Sequence, residues 1–157
     1  MWKFYENLQY QKRHVFRVPN GAELLNYLNV YAEKNDLLVG VVNVIGALFD
    51  VKIGYYDIEK DEYKVISLRG FYELVAGIGD ISIKEQKPFT HLHVVLDSSN
   101  GESYAGHLME GKVFVAETII YELEGPVLER KRLRKDYGCG KKLLGFRTNM
   151  FCKLFSQ

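Results

Sequence analysis

Three of the four histidines of this chain fall in one short stretch, as His91, His93 and His107. Residues two apart in a β-strand point to the same face, so His91 and His93 are expected to project together. The pair Asn100–Gly101 predicts a hairpin turn, and a hairpin symmetric about Asn100 would put His107 opposite His93. Three imidazoles that converge on one sheet face favour a site for one divalent transition metal ion, and zinc is the favoured ion. The fourth coordination position of such a site would be open to water or substrate.

A second interpretation of the same histidines stays open. A histidine in a strand often only bonds to a neighbouring group, and a slip of one residue in the register would send His107 to the opposite face. With the metal, the site could serve a metal-dependent enzyme that activates water. No other feature of the sequence supports an enzyme, so a DNA-associated or regulatory binding protein that carries this metal site is the first hypothesis, and the metal-dependent enzyme is the alternative.

The second candidate site is a cluster of positive charge near the C-terminus. Residues 125–157 carry nine Lys or Arg and two acidic residues, whereas residues 1–124 carry twelve Lys or Arg and eighteen acidic residues. Such a cluster could neutralise phosphates and bind DNA weakly and without sequence preference, although charge runs are usually solvated surface. The candidate nucleic-acid contacts are Arg130, Lys131, Arg132, Arg134 and Lys135.

Several other features exclude function classes. Residues 77–82 (Gly-Ile-Gly-Asp-Ile-Ser) lack the third glycine and the following helix of a dinucleotide-binding loop. Cys139 and Cys152 form no CxxC pair and are expected to be free thiols in a reducing, cytoplasmic compartment. The N-terminus has no apolar signal region, and the longest apolar run, residues 37–49, is shorter than the ~20 residues of a membrane span. No membrane partner is therefore expected.

The pattern along the chain predicts a single α+β domain over residues 1–157, mainly an antiparallel sheet with one principal helix. Asn20 is expected to cap this helix, with Glu23 as its capping-box partner, and Asn35–Asp36 to end it. Period-two patterns and turn residues divide the rest into strands. The expected strands are 12–18, 37–49, 51–56, 63–68, 71–76, 81–83, 89–96, 104–108 and 113–123, with a faint one at 127–133.

The order of short motifs resembles the plant- and prokaryote-conserved (PPC) domain over about residues 12–124. The motifs are Gly21-x-Glu23, Gly54-Tyr55-Tyr56-Asp57, Gly70-Phe71-Tyr72-Glu73-Leu74, Gly79-Asp80-Ile81-Ser82, Pro88-Phe89-Thr90-His91-Leu92-His93 and Gly106-His107-Leu108.

The resemblance implies an α+β fold, a homotrimer and an association with DNA. The family's histidines match His91, His93 and His107, which supports the metal interpretation. In the plant members, DNA is read by an AT-hook with an Arg-Gly-Arg core, and this chain contains no such triplet. Asp80 stands where relatives commonly have Asn, and the resemblance fades into the basic C-terminal segment, residues 125–157.

Overall fold

The computed structural model describes residues 9–60, 62–132 and 144–147, with side chains up to Arg130. One helix and seven strands make up the described part of the chain. In order they are β1 (Gln9–Val18), α1 (Leu24–Lys34), β2 (Gly40–Asp57), β3 (Glu62–Lys84), β4 (Lys87–Asp97), β5 (Ser103–Glu124), β6 (Glu129–Arg132) and β7 (Leu144–Arg147). The mainly antiparallel sheet with a single helix agrees with the predicted class.

All seven strands belong to one sheet, in the order β1-β5-β2-β3-β6-β7. Strand β4 lies off this path and pairs with both β3 and β5, so β2, β3, β4 and β5 form a closed circuit. All pairs are antiparallel except β3 with β6, which meet in parallel at Ile83 and Glu129. The curved sheet therefore has an inner face that holds the core and an outer face.

The strands are longer than the sequence pattern predicts. Residues 51–56 continue the strand that begins at Gly40, and residues 63–83 form part of one strand rather than three. Likewise, residues 104–108 and 113–123 lie in the single strand β5. Register shifts beside Gly46 and Asp50 mark bulges, which bend a strand without ending it. Bulge residues therefore resemble turn residues in the sequence.

The start of the helix differs from the prediction. Glu23, and not Asn20, is the N-cap: its carboxylate accepts hydrogen bonds from the backbone N–H groups of Leu25 and Asn26. The side chain of Asn20 instead donates to the carbonyl of Phe114. The cause is tertiary, because Gly21 and Ala22 bond to the backbone of Val113 and so extend the sheet before the helix begins. The helix ends at Asn35, as expected.

The core lies between the helix and the inner face of the sheet. Leu24, Leu28 and Ala32 lie on one side of α1 and are fully buried, as helical spacing predicts. They belong to one apolar cluster with inward-facing residues of β2 to β5, among them Val42, Leu48, Leu92, Leu96, Leu108 and Ile120. The described part of the chain contains no helix that is both long and apolar enough to span a membrane.

Candidate metal centre

Strand β4 presents two of the three histidines on the outer face of the sheet. Thr90, Leu92 and Val94 are buried, whereas His91 is half-buried and His93 is exposed, as strict alternation requires. The N–H of Thr90 donates to the side chain of Asn29, which ties the start of β4 to the helix.

The hairpin register brings the third histidine beside them. His93 and His107 are direct cross-strand partners between β4 and β5, and the connecting turn contains Gly101 with a φ of +81°. This is the register expected from the Asn-Gly turn, so the slip that would turn His107 to the opposite face does not occur. The three imidazoles therefore lie together.

The three rings are close enough to share one ion. Their centroids are 5.1 Å apart for His91 and His93, 4.9 Å for His91 and His107, and 5.5 Å for His93 and His107. One ring nitrogen from each histidine lies within 4.8 Å of the other two. Tetrahedral zinc with bonds of ~2.0–2.1 Å separates its ligand nitrogens by roughly 3.3–3.4 Å, so modest side-chain rotations would close the site.

The chemistry of the donor set also fits a metal ion. Nδ1 of His107 is buried and has no hydrogen-bond partner among the described residues. A buried polar atom without a partner carries a desolvation penalty, which coordination would remove. Burial lowers the pKa of His107 to about 4, and the nearby His91, His93 and Arg130 add to the effect. Burial followed by the charge of His91 also lowers the pKa of His93. Both rings are therefore held neutral, the form that binds metal.

Glycine and aromatic residues shape the surroundings of the histidines. A Cβ at Gly79 would lie 1.8 Å from the carbonyl oxygen of His91, so only glycine lets β3 approach β4 this closely. The ring of Tyr63 lies 5.4 Å from that of His107 with an interplanar angle of 33°. Ile78, the cross-strand partner of His93, is exposed beside the site.

An ion pair between the half-buried Asp80 and the buried Arg130 lies beside His91. Asp80 is the cross-strand partner of His91, and both of its carboxylate oxygens accept from Nη2 of Arg130, at 2.8 and 2.7 Å. Nε of Arg130 donates to the hydroxyl of Ser82 at 2.8 Å. Burial alone would raise the pKa of Asp80, but its contact with His91 and the hydrogen bonds and charge of Arg130 outweigh burial and lower the pKa.

The basic cluster of the sequence is divided by the structure. Arg130 is only 7% exposed and its guanidinium binds Asp80, so this residue is not part of a surface that could contact phosphates. Lys131 and Arg132 lie in strand β6. Arg134, Lys135, Cys139 and Cys152 are outside the described residues.

Asp80, Ser82 and Arg130 were not recognised from the sequence as neighbours of the histidines. Asp80 and Ser82 could have been found, because they are polar residues two positions apart in an apolar stretch that precedes the histidine strand. Arg130 could not be found from a local pattern, because it is 50 residues from Asp80 in the chain.

Comparisons with known proteins agree with the resemblance read from the sequence. The family model of the Plants and Prokaryotes Conserved (PCC) domain, the PPC domain above, matches residues 5–124. Comparison with curated protein sequences gives no significant match.

Solved structures share the fold across most of the chain. A PPC protein from Pyrococcus horikoshii is 43% identical with a TM-score of 0.80, covering 87% of this chain and 94% of that one. A metal-containing protein from Archaeoglobus fulgidus is 30% identical with a TM-score of 0.83, covering 90% and 96%. A protein from Bacteroides thetaiotaomicron, described as a candidate DNA-binding protein, is 20% identical with a TM-score of 0.76, covering 90% and 98%.

Proposed function

The chain belongs to the plant- and prokaryote-conserved (PPC) domain family, and we propose that it is a metal-dependent binding or regulatory protein. One divalent transition metal ion, with zinc favoured over the others, would be held by His91, His93 and His107. The observation that carries the proposal is the convergence of three ring nitrogens within 4.8 Å of one another on the outer face of the sheet. The A. fulgidus relative, described as metal-containing, supports it.

The donor set favours zinc without selecting it sharply. Three neutral imidazoles suit zinc, copper, iron and nickel, and zinc is the commonest ion in open sites of this kind. Three protein ligands leave one position for water, an anion or a partner's side chain. Because His93 is exposed, a ligand could reach this position from solvent.

The proposal is tested by metal content and affinity. Purified protein treated with chelator and dialysed against zinc should retain one zinc per chain. Removing one of three ligands should lower the affinity at least tenfold in His93→Ala and His107→Ala. His14→Ala is the matched control, because His14 lies apart from the cluster and bonds to Glu122 and Tyr31. Equal zinc content in the wild type and the two cluster variants would refute the site.

A metal-dependent enzyme is the alternative use of the same site. When bound, zinc with an open position supplies a Lewis acid that lowers the pKa of a coordinated water. Asp80 is not available to the reaction as a free base, because both of its oxygens accept from Arg130. A screen of hydrolysable esters, amides and phosphate esters against the zinc-loaded protein distinguishes the two uses. Turnover that disappears in His107→Ala would favour the enzyme.

Self-association into a trimer is the second part of the proposal. An exposed, mainly apolar row crosses the outer face through neighbouring strands, from Val15 in β1 and Ile119 in β5, across Asn43 in β2, to Ile78 in β3, which lies beside His93. Val15 is 73% and Ile78 is 61% exposed. Exposed apolar side chains of this kind favour a contact between copies of the chain. Light scattering should give about three times the mass of the chain, and a clean monomer at micromolar concentration would contradict it.

Weak association with DNA is a separate proposal that rests on the charge of the C-terminal segment. Contacts from Lys131, Arg132, Arg134 and Lys135 would be independent of sequence and would weaken steeply with salt, because they act through counterion release. Replacing these four residues with Ala should abolish a mobility shift seen at low salt. Replacing the exposed Lys12, Arg13 and Arg17 is the control and should leave it. A cytoplasmic location, expected from the sequence, is proposed as well.

A further inference from the structure

Arg130 joins strand β6 to the proposed metal site. Its guanidinium is almost fully buried and reaches three groups of the site's surroundings: Asp80, Ser82 and His91. The guanidinium carbon Cζ of Arg130 also lies 5.7 Å from the centre of the Phe89 ring. Strand β6 also meets β3 at a bridge between Ile83 and Glu129, next to the hydrogen bond from Ile83 N–H to the carbonyl of Leu128, and it pairs with β7 on its other side. The Arg130 side chain is therefore one of the attachments of this short strand to β3 and β4.

The contact between Arg130 and His91 fixes which ring nitrogen can bind an ion. Nδ1 of His91 lies 3.1 Å from Nη2 of Arg130 and 3.6 Å from Oδ2 of Asp80. Because Nδ1 faces these groups, Nε2 is the atom available to a metal. An arginine nitrogen can only donate, so its bond to His91 requires a lone pair on Nδ1 and, in a neutral ring, a proton on Nε2. That tautomer has no lone pair on Nε2 for an ion.

A metal ion on Nε2 requires the opposite tautomer. Nδ1 must then carry the proton, so it faces the N–H of Arg130 as donor to donor, and its remaining acceptor is Asp80. Metal-bound histidines commonly donate this second N–H to a carboxylate. Arg130 opposes this arrangement further, because it competes with the N–H of His91 for the oxygens of Asp80 and puts a positive charge near the ion. All three effects act against binding.

On the basis of the proposed metal site, we propose that Arg130 and the metal ion compete for His91, so that metal binding loosens the attachment of strand β6. Asp80 acts in the opposite direction: once Nδ1 of His91 carries the proton, Asp80 can accept it, which favours the metal-bound tautomer. Because coupling between two binding events is reciprocal, docking of β6 weakens metal binding by the same factor by which the metal weakens docking of β6. Metal binding would thereby control whether the basic residues from Lys131 onward are held against the sheet or released from it.

Zinc affinities of the full-length chain test this competition by the sign of two changes. Competition with a chromophoric chelator should show zinc binding about tenfold tighter in Arg130→Met, within the usual range of coupling between sites. Asp80→Asn should bind zinc roughly 10–100-fold more weakly. Ser82→Ala, which removes the partner of Arg130 Nε and leaves its charge, should bind slightly more tightly. Arg13→Met and Glu110→Gln are the controls; Glu110 forms an exposed ion pair with Lys52.

Hydrogen exchange supplies a readout that a purely structural role of Arg130 would not move. In the wild type, the backbone amides of β6 should exchange faster with zinc than without it. In Arg130→Met, zinc should have no effect on their exchange. Nitrogen chemical shifts of His91 should change from a protonated Nε2 in the metal-free protein to a protonated Nδ1 in the zinc-loaded protein.

The outcomes separate this inference from the proposed function. Wild-type protein that binds no zinc refutes the metal site and the competition together. Wild-type protein that binds one zinc, with Arg130→Met and Ser82→Ala binding it equally or more weakly, refutes the competition alone. Slower exchange of β6 in the presence of zinc would also refute the competition, because it would mean that ion and strand support each other.

Discussion

At the scale of single residues, His107 controls how the metal-free protein responds to acid. Its pKa is lowered to about 4 in the folded chain, mainly by burial, whereas an unfolded histidine titrates near ~6.5. Between these values the unfolded chain binds more protons than the folded chain. The free energy of unfolding should therefore fall as the pH decreases from ~6.5 to about 4, and this contribution should be constant above ~6.5.

Urea unfolding of chelator-treated protein across this range measures the effect. His107→Gln keeps a polar side chain that does not titrate, and the loss of stability below pH ~6.5 should be smaller than in the wild type. A variant whose stability changes with pH as steeply as that of the wild type would show that His107 does not carry the effect. Zinc should steepen the dependence, because an ion excludes protons from the rings of the folded chain while the unfolded chain still binds them.

The histidine cluster could be predicted because its determinants are local. The alternation of β4 and the Asn-Gly turn at residues 100–101 fix the register, and the register alone brings His107 beside His93. The role of Arg130 could not be predicted in this way. A cluster of charges does not reveal which member packs inward, and its partner Asp80 lies in a distant part of the chain.

At the scale of elements, mutation can distinguish the two candidate N-caps of α1, Glu23 and Asn20. Glu23 accepts from the N–H groups of Leu25 and Asn26, and also from that of Gly111 in β5. Glu23→Ala should lower the free energy of unfolding by about 1 kcal/mol or more, since a lost helix cap typically costs 0.5–2 kcal/mol and here a tie to the sheet is lost as well.

Asn20→Ala is the matched control for this cap. Its side chain makes one exposed hydrogen bond to the carbonyl of Phe114 and does not cap the helix, so the loss should be smaller than in Glu23→Ala. Chemical denaturation of the two variants checks the order. A larger loss in Asn20→Ala would mean that the helix begins where the sequence pattern suggested.

The extent of the strands could not be predicted because bends and ends have similar sequences. Asp50, with a φ of 48°, lies at a bulge within β2 and has the residue type expected of a turn. Only the pairing of β2 with β3 and β5 on its two sides shows that the strand continues through it. Gly46, with a φ of 144°, lies at another bulge, inside the strand predicted over residues 37–49. The identity of the helix and of the β4–β5 hairpin needed no such information.

At the scale of the whole molecule, the apolar row should hold the copies of the chain together. Ile119 lies between Val15 and Asn43 in the register of the outer face. Ile119→Glu would bury a charge in a contact between copies, so light scattering should show a shift from trimer towards monomer. Ile58→Glu is the control, because Ile58 is also exposed but lies in the turn between β2 and β3, outside the row. A trimer that persists in Ile119→Glu would show that the copies meet elsewhere.

The central claim is that three histidines from two strands hold one metal ion, and a crystal of the zinc-loaded protein tests it most directly. Diffraction data collected at the zinc absorption edge should show one anomalous peak per chain between His91, His93 and His107. The peak should lie ~2.0–2.1 Å from one ring nitrogen of each residue. A zinc-loaded crystal without a peak between these rings, or with a peak bound by other residues, would contradict the claim.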